Sequence, residues 1–220
     1  MEAHIDKTIQ YLDESTAKLR TRQFLDFLCP LAAPHPVKLQ RNPAILILDV
    51  QRIFFDPASG AFLPVAPVVL GNIRSLIQAF ECRNLPIFFT RHLDEGLGPM
   101  AEWWGKGIAA HDWHSQMAIE CEKHTVVIKS SYDSFHQTEL GRLLKRCGVD
   151  QVVVVGVMTH LCVESTVRSA FGFGLSPIIP IDAVGSKNEC LHLSALTTLA
   201  HGFAQMTDTE EIKHCIEQLA

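Results

Sequence analysis

QVVVVGV, residues 151–157, runs into MTHLCVESTVRSAFG, residues 158–172, and this junction decides the fold. The first seven residues are apolar on both faces and rich in β-branched side chains. That composition suits a strand covered on both sides, as in a parallel sheet. The periodicity then changes. Val163, Val167 and Ala170 fall on one helical stripe, so the chain passes from strand to helix across a short turn. One thiol, Cys162, lies at the start of that helix.

The same unit recurs on either side. AILILDV (44–50), LPIFFTR (85–91), HTVVIK (124–129), SPIIPID (176–182) and FAQMTD (203–208) read as further strands. VLGNIRSLIQAFECR (69–83), TELGRLLKRCG (138–148), ECLHLSALTTLAHG (189–202) and residues 209–219 read as helices. This alternation predicts an α/β fold, a three-layer α/β/α sandwich with a six-stranded, mostly parallel sheet in the order 3-2-1-4-5-6. Ile5, Ile9, Leu12 and Leu19 are spaced as in a helix, and PLAAPHP (30–36) ends that part. Residues 1–36 are therefore expected to be an N-terminal helical extension and residues 37–220 one domain.

Composition narrows the function classes. With 220 residues, 47% of them hydrophobic, the chain can bury one substantial core. The formal net charge is −5 and no basic block occurs, which disfavours nucleic acid as a partner. No apolar run approaches the roughly 20 residues of a membrane span, and the polar, acidic first residues lack a signal-peptide core. A cytoplasmic protein acting on a small molecule is expected. Seven cysteines with no CxxC pair suggest neither a disulfide framework nor a cysteine zinc site. The turn after strand 1, DVQRIFFDP, carries no glycine-rich phosphate loop, so no nucleotide cofactor is expected.

In the order 3-2-1-4-5-6, strands 1 and 4 meet at the topological switch point, where ligands bind beyond the carboxyl ends of strands. Asp49 ends strand 1 and Cys162 follows strand 4, on opposite lips of that crevice. Lys129 ends strand 3 and must lean inward over strand 2 to join them. Each residue has a bland reading: the Asp as a turn cap, the Lys as a solvated strand end, the Cys as a small buried hydrophobe. Together they make chemical sense. A helix N-terminus and an ammonium favour a thiolate, a carboxylate can accept and return a proton, and backbone N–H groups in the turn suit an oxyanion. Phe55, Trp103, Trp104, Tyr132 and Phe135 can line the crevice, and Gln51 should point to the same side as Asp49. His92 and His160 read as hydrogen-bonded structural residues.

ILILDVQ, VVIKSSYDSF and VVVVGVMTHLCVESTVRSAFGFG together resemble the isochorismatase-like cysteine hydrolases, from about Pro43 to Ile212. That family includes nicotinamidases, N-carbamoylsarcosine amidohydrolase, ureidoacrylate hydrolases and isochorismatases. The resemblance implies a triad of Asp49, Lys129 and Cys162, with a thioester on Cys162 and Asp49 as general acid and base. It implies a non-proline cis peptide at Val157–Met158, which would aim the N–H groups of Met158 and Cys162 at the oxyanion. It also implies a homodimer or larger homo-oligomer.

Two departures matter. Nicotinamidases hold a metal with a TxDxH pattern, and here the chain reads Thr90-Arg91-His92-Leu93-Asp94. His111 and His114 mimic part of that set about twenty residues later, so no metal is expected. GPMAEWWGKGI (98–108) and SYDSFHQTEL (131–140) look like loops of the isochorismatases proper. Those that cleave a vinyl ether carry Gly where this chain has Cys162, and a vinyl ether offers a thiolate no carbonyl carbon. The expectation is therefore C–N hydrolysis of an amide or ureido compound. Vinyl-ether cleavage with Asp49 as general acid is the alternative.

Overall fold

The computed structural model describes residues 8–31, 37–40, 42–96, 98–105 and 107–219. The strands are β1 (Ala44–Leu48), β2 (Ile87–His92), β3 (Thr125–Lys129), β4 (Gln151–Val157), β5 (Ser176–Pro180), β6 (Val184–Gly185) and β7 (Gln205–Thr207). The helices are α1 (Ala17–Leu28), α2 (Arg52–Phe55), α3 (Ala66–Cys82), α4 (Pro99–Trp104), α5 (Leu140–Arg146), α6 (Glu164–Gly172), α7 (Glu189–Gly202) and α8 (Thr209–Glu217).

The sheet runs β3-β2-β1-β4-β5-β7, with every pairing parallel. This is the expected order, the sixth predicted strand being β7. The addition is β6, whose two residues pair with Gly156 and Val157 at the end of β4. Two residues are too few to show any alternation in a sequence. Every residue of β1 and β4 is buried, as their apolar runs require. Crossovers in parallel sheets are right-handed, and the direction of travel reverses at β1/β4. That places α3 on one face and α5, α6 and α7 on the other. α8 then packs back against α3, and α6 against α7.

The N-terminal expectation needs correction. Ile5 and residues 32–36 lie outside the described residues. Residues 8–13 are not helical, and Ile9 and Leu19 are exposed. Asp13 stops a longer helix: its carboxylate accepts from the N–H groups of Ser15 and Thr16, and α1 starts only at Ala17. The buried face of α1 is Thr21, Phe24 and Leu28, and with Tyr11 and Leu12 its apolar members join the main core. α1 packs against α7 of its own chain. Among the described residues no helix is long and apolar enough to cross a membrane.

Candidate active site

Three strand ends converge. Asp49 follows β1 with φ of 52°, a left-handed conformation that Asp tolerates better than most residues. This turns the chain sharply off the sheet. One carboxylate oxygen, Oδ1, accepts from Thr90 Oγ1 at 2.7 Å. The other, Oδ2, lies 2.7 Å from Lys129 Nζ, and both side chains are wholly buried. Lys129 reaches it from β3 across β2, as expected. The same ammonium donates to Ser131 O at 2.8 Å and lies 3.4 Å from both Tyr132 O and Cys162 Sγ. Asp49, Lys129 and Cys162 thus share one buried cluster.

Cys162 sits in a π-helical turn, Thr159–Val163, that leads directly into α6. The Val157–Met158 peptide is cis. Gly156 lets this turn sit close to Asp49. Its φ is +114°, and a Cβ there would fall 2.1 Å from Leu48 O on β1. No side chain fits, so the ends of β1 and β4 can meet at this point.

Electrostatics modify the sequence reading. Burial pushes the Cys162 thiol well above its ordinary range, Asp49 adds to that, and Lys129 offsets only part. Burial also opposes charge on Lys129, but Asp49 and Cys162 outweigh it and its pKa is raised. The cause is charge balance. Carboxylate and ammonium already neutralise each other, so a thiolate would add an uncompensated buried charge. Burial and the Asp49 charge thus work against the preformed thiolate that the helix terminus and Lys129 alone would favour.

The other expected site residues divide. Gln51 is fully buried and its amide is committed to main chain. Nε2 donates to His92 O and Ser115 O, and Oε1 accepts from His92 N. It braces the end of β2 instead of lining a pocket. Phe135 is a correction: it stacks on Phe173 beyond the C-terminal end of α6, with centroids 4.8 Å apart. Phe173 follows the C-terminal end of α6, and Cys162 precedes its start. Phe55 is half-buried against the core. Trp104 donates from Nε1 to Tyr132 Oη at 2.7 Å. The Tyr132 backbone carbonyl lies 3.4 Å from Lys129 Nζ, while its hydroxyl meets Trp104 at an exposed position. Trp103 is 80% exposed. His111 is exposed, and among the described residues no group of three or more His, Cys, Asp or Glu could hold a metal ion.

Residues missed from sequence buttress the cluster. Thr90 fixes Asp49, and the only signal for it was that it is the first polar residue after the apolar run that opens β2. Thr166, one turn after Cys162, accepts from Ser134 N at 3.1 Å and ties the loop after Lys129 to α6. Behind the cysteine turn, Thr159 Oγ1 pairs with His192 Nδ1 at 2.9 Å, and Ser186 Oγ with His160 Nδ1 at 2.7 Å. Burial holds His160 near a pKa of about 4 and His192 near about 3, so both rings are neutral. Tyr11, in the segment before α1, reaches this network: its hydroxyl accepts from Ser186 N, and its ring packs on His192.

The family model for the isochorismatase domain matches residues 43–211. The chain belongs to the isochorismatase family. Within that family it is 32% identical over 184 residues to Nicotinamidase 3 of Arabidopsis thaliana, covering 79% of this chain and 88% of that one. It is 27% identical over 179 residues to Enterobactin synthase component B of Escherichia coli K12, covering 78% of this chain and 62% of that one. The fold matches a cysteine hydrolase from Pseudomonas syringae pv. phaseolicola 1448A with a TM-score of 0.79, at 22% identity over 86% of this chain and all of that one. The protein is an isochorismatase-family hydrolase.

Proposed function

We propose that this isochorismatase-family hydrolase cleaves a C–N bond of a small amide or ureido compound through an acyl-thioester on Cys162. The observation that carries this reading is the Lys129 ammonium, 2.7 Å from the Asp49 carboxylate and 3.4 Å from the Cys162 sulfur. Asp49 takes the thiol proton as sulfur attacks the carbonyl carbon, and Lys129 holds the anionic charge that develops. N–H groups of the Met158–Cys162 turn receive the oxyanion. Asp49 then returns the proton to the leaving nitrogen, and the C–N bond breaks. Water attacks the thioester with Asp49 again as base, and the thiol regains its proton. A thiol pKa raised by burial and by the neighbouring Asp49 fits general-base activation at the moment of attack. The Trp104–Tyr132 pair forms a wall of the pocket. The amidase name of one relative supports C–N chemistry.

The test is turnover by Cys162→Ala and Asp49→Asn on primary amides, ureido acids and a vinyl ether such as isochorismate. The reading expects both variants to lose amide hydrolysis by at least about 10³-fold. Retained turnover in Cys162→Ala, with loss in Asp49→Asn, would transfer the chain to vinyl-ether cleavage by acid catalysis.

A further inference from the structure

His92 is the buried polar residue of the cluster that the catalytic scheme leaves unused. It ends β2 and pairs in register with Lys129, so both side chains project from the same face of the sheet. Thr90, two residues earlier on β2, projects from that face too, and its hydroxyl meets Asp49. Lys129 crosses β2 to reach Asp49. The imidazole therefore stands where the ammonium passes, beside both charged groups. His92 is 7% exposed, and its Nδ1 is buried with no hydrogen-bond partner among the described residues.

In the tautomer protonated at Nε2, the Nδ1 atom carries the lone pair and acts as an acceptor. Burial, and then Lys129, hold the ring below its ordinary pKa, so it stays neutral. The main-chain groups of His92 are both clamped by Gln51, so the ring cannot swing away with its backbone. A buried acceptor without a donor is costly unless a ligand supplies the donor. Of the two side chains on the same face, Lys129 pairs with Asp49 and donates to Ser131 O, and the Thr90 hydroxyl donates to Asp49.

We propose that His92 is a substrate-binding residue whose Nδ1 accepts a hydrogen bond from an N–H of the amide or ureido group. This rests on the function proposed above and deepens it. The site would select carbonyl compounds that carry an N–H beside the carbonyl, and would disfavour esters of the same acyl group.

Two substitutions separate the ring's two nitrogens. His92→Asn keeps a polar atom near the Nδ1 position, and His92→Gln keeps one near the Nε2 position. The probes are iodoacetamide, which carries a primary amide, and methyl methanethiosulfonate, which has no N–H. Both are followed as modification rates at the Cys162 peptide by mass spectrometry. No turnover is needed, so the result stands apart from whether the chain is an amidase. The expected result is a fall in the iodoacetamide-to-thiosulfonate rate ratio of roughly 3- to 10-fold in His92→Gln, restored to within about twofold in His92→Asn. An unchanged ratio in His92→Gln, or an equal loss in His92→Asn, overturns the proposal. Wild-type protein gives a check that needs no variant. With ¹⁵N-histidine labelling, the His92 Nδ1 resonance should shift on forming the iodoacetamide adduct and not the methylthio adduct. No difference between the adducts also overturns it.

Discussion

Replacing Lys129 by methionine keeps the side-chain volume and removes the charge, so it isolates what the ammonium does. Both partners are wholly buried, and without the ammonium the Asp49 carboxylate would keep the Thr90 hydroxyl and the Cys162 thiol as its neutral side-chain donors. Breaking a buried pair by deleting one partner costs about 3–5 kcal/mol, because the other charge is left uncompensated. The carbonyls of Ser131 and Tyr132 lose a donor as well, adding about 1 kcal/mol. For a chain of this size that is a fall in Tm of about 8–24 °C. Urea denaturation reads the loss as a lower midpoint against wild type. Asp49→Leu combined with Lys129→Met should recover most of the loss, since apolar replacement of a buried pair is often neutral. A deficit below about 1 kcal/mol in Lys129→Met, or no recovery in the double variant, would refute the buried ion pair.

Three other outcomes follow from the packing. Gly156→Ala puts a methyl group 2.1 Å from Leu48 O, so it should lower stability by more than about 3 kcal/mol or abolish folded protein; chemical denaturation measures it. His192 is held neutral, with a folded pKa of about 3 against an ordinary 6.5. The unfolded chain therefore binds the proton first, and this contribution to stability is present above about pH 6.5 and lost as pH falls toward 3. His192→Gln should flatten that slope by a few kcal/mol in urea titrations across the range. Tyr11→Phe leaves Ser186 N without its acceptor and should cost about 1–3 kcal/mol, visible as a lower urea midpoint.

The sheet order was legible because β1 and β4 are apolar on both faces and the helices between strands keep a clear period. Asp49, Lys129 and Cys162 were legible for the same reason: strand ends at a switch point face one crevice whatever the loops do. What failed was information that lies across the sheet or outside the period. The N-terminal stripe failed because Asp13 turns the backbone and because the buried positions, Thr21, Phe24 and Leu28, follow a different face from Leu19. Phe135 was assigned to the pocket by nearness in sequence to Lys129, whereas its packing is set by Phe173, which belongs to another element. The state of the thiol was misjudged because a helix terminus and a lysine are visible in sequence, whereas full burial and a second charge on the same lysine are not. Gln51, Thr90 and His92 acquire their parts only once β1 and β2 are in register.

The measurement that tests the central claim most directly is the mass of the Cys162 peptide after acid quench during turnover of an amide substrate. The mechanism predicts a mass increase equal to the acyl group, carried on Cys162 and absent from Cys162→Ala. A wild-type enzyme that turns the amide over while Cys162 stays unmodified, together with a Cys162→Ala variant that retains turnover, would contradict it.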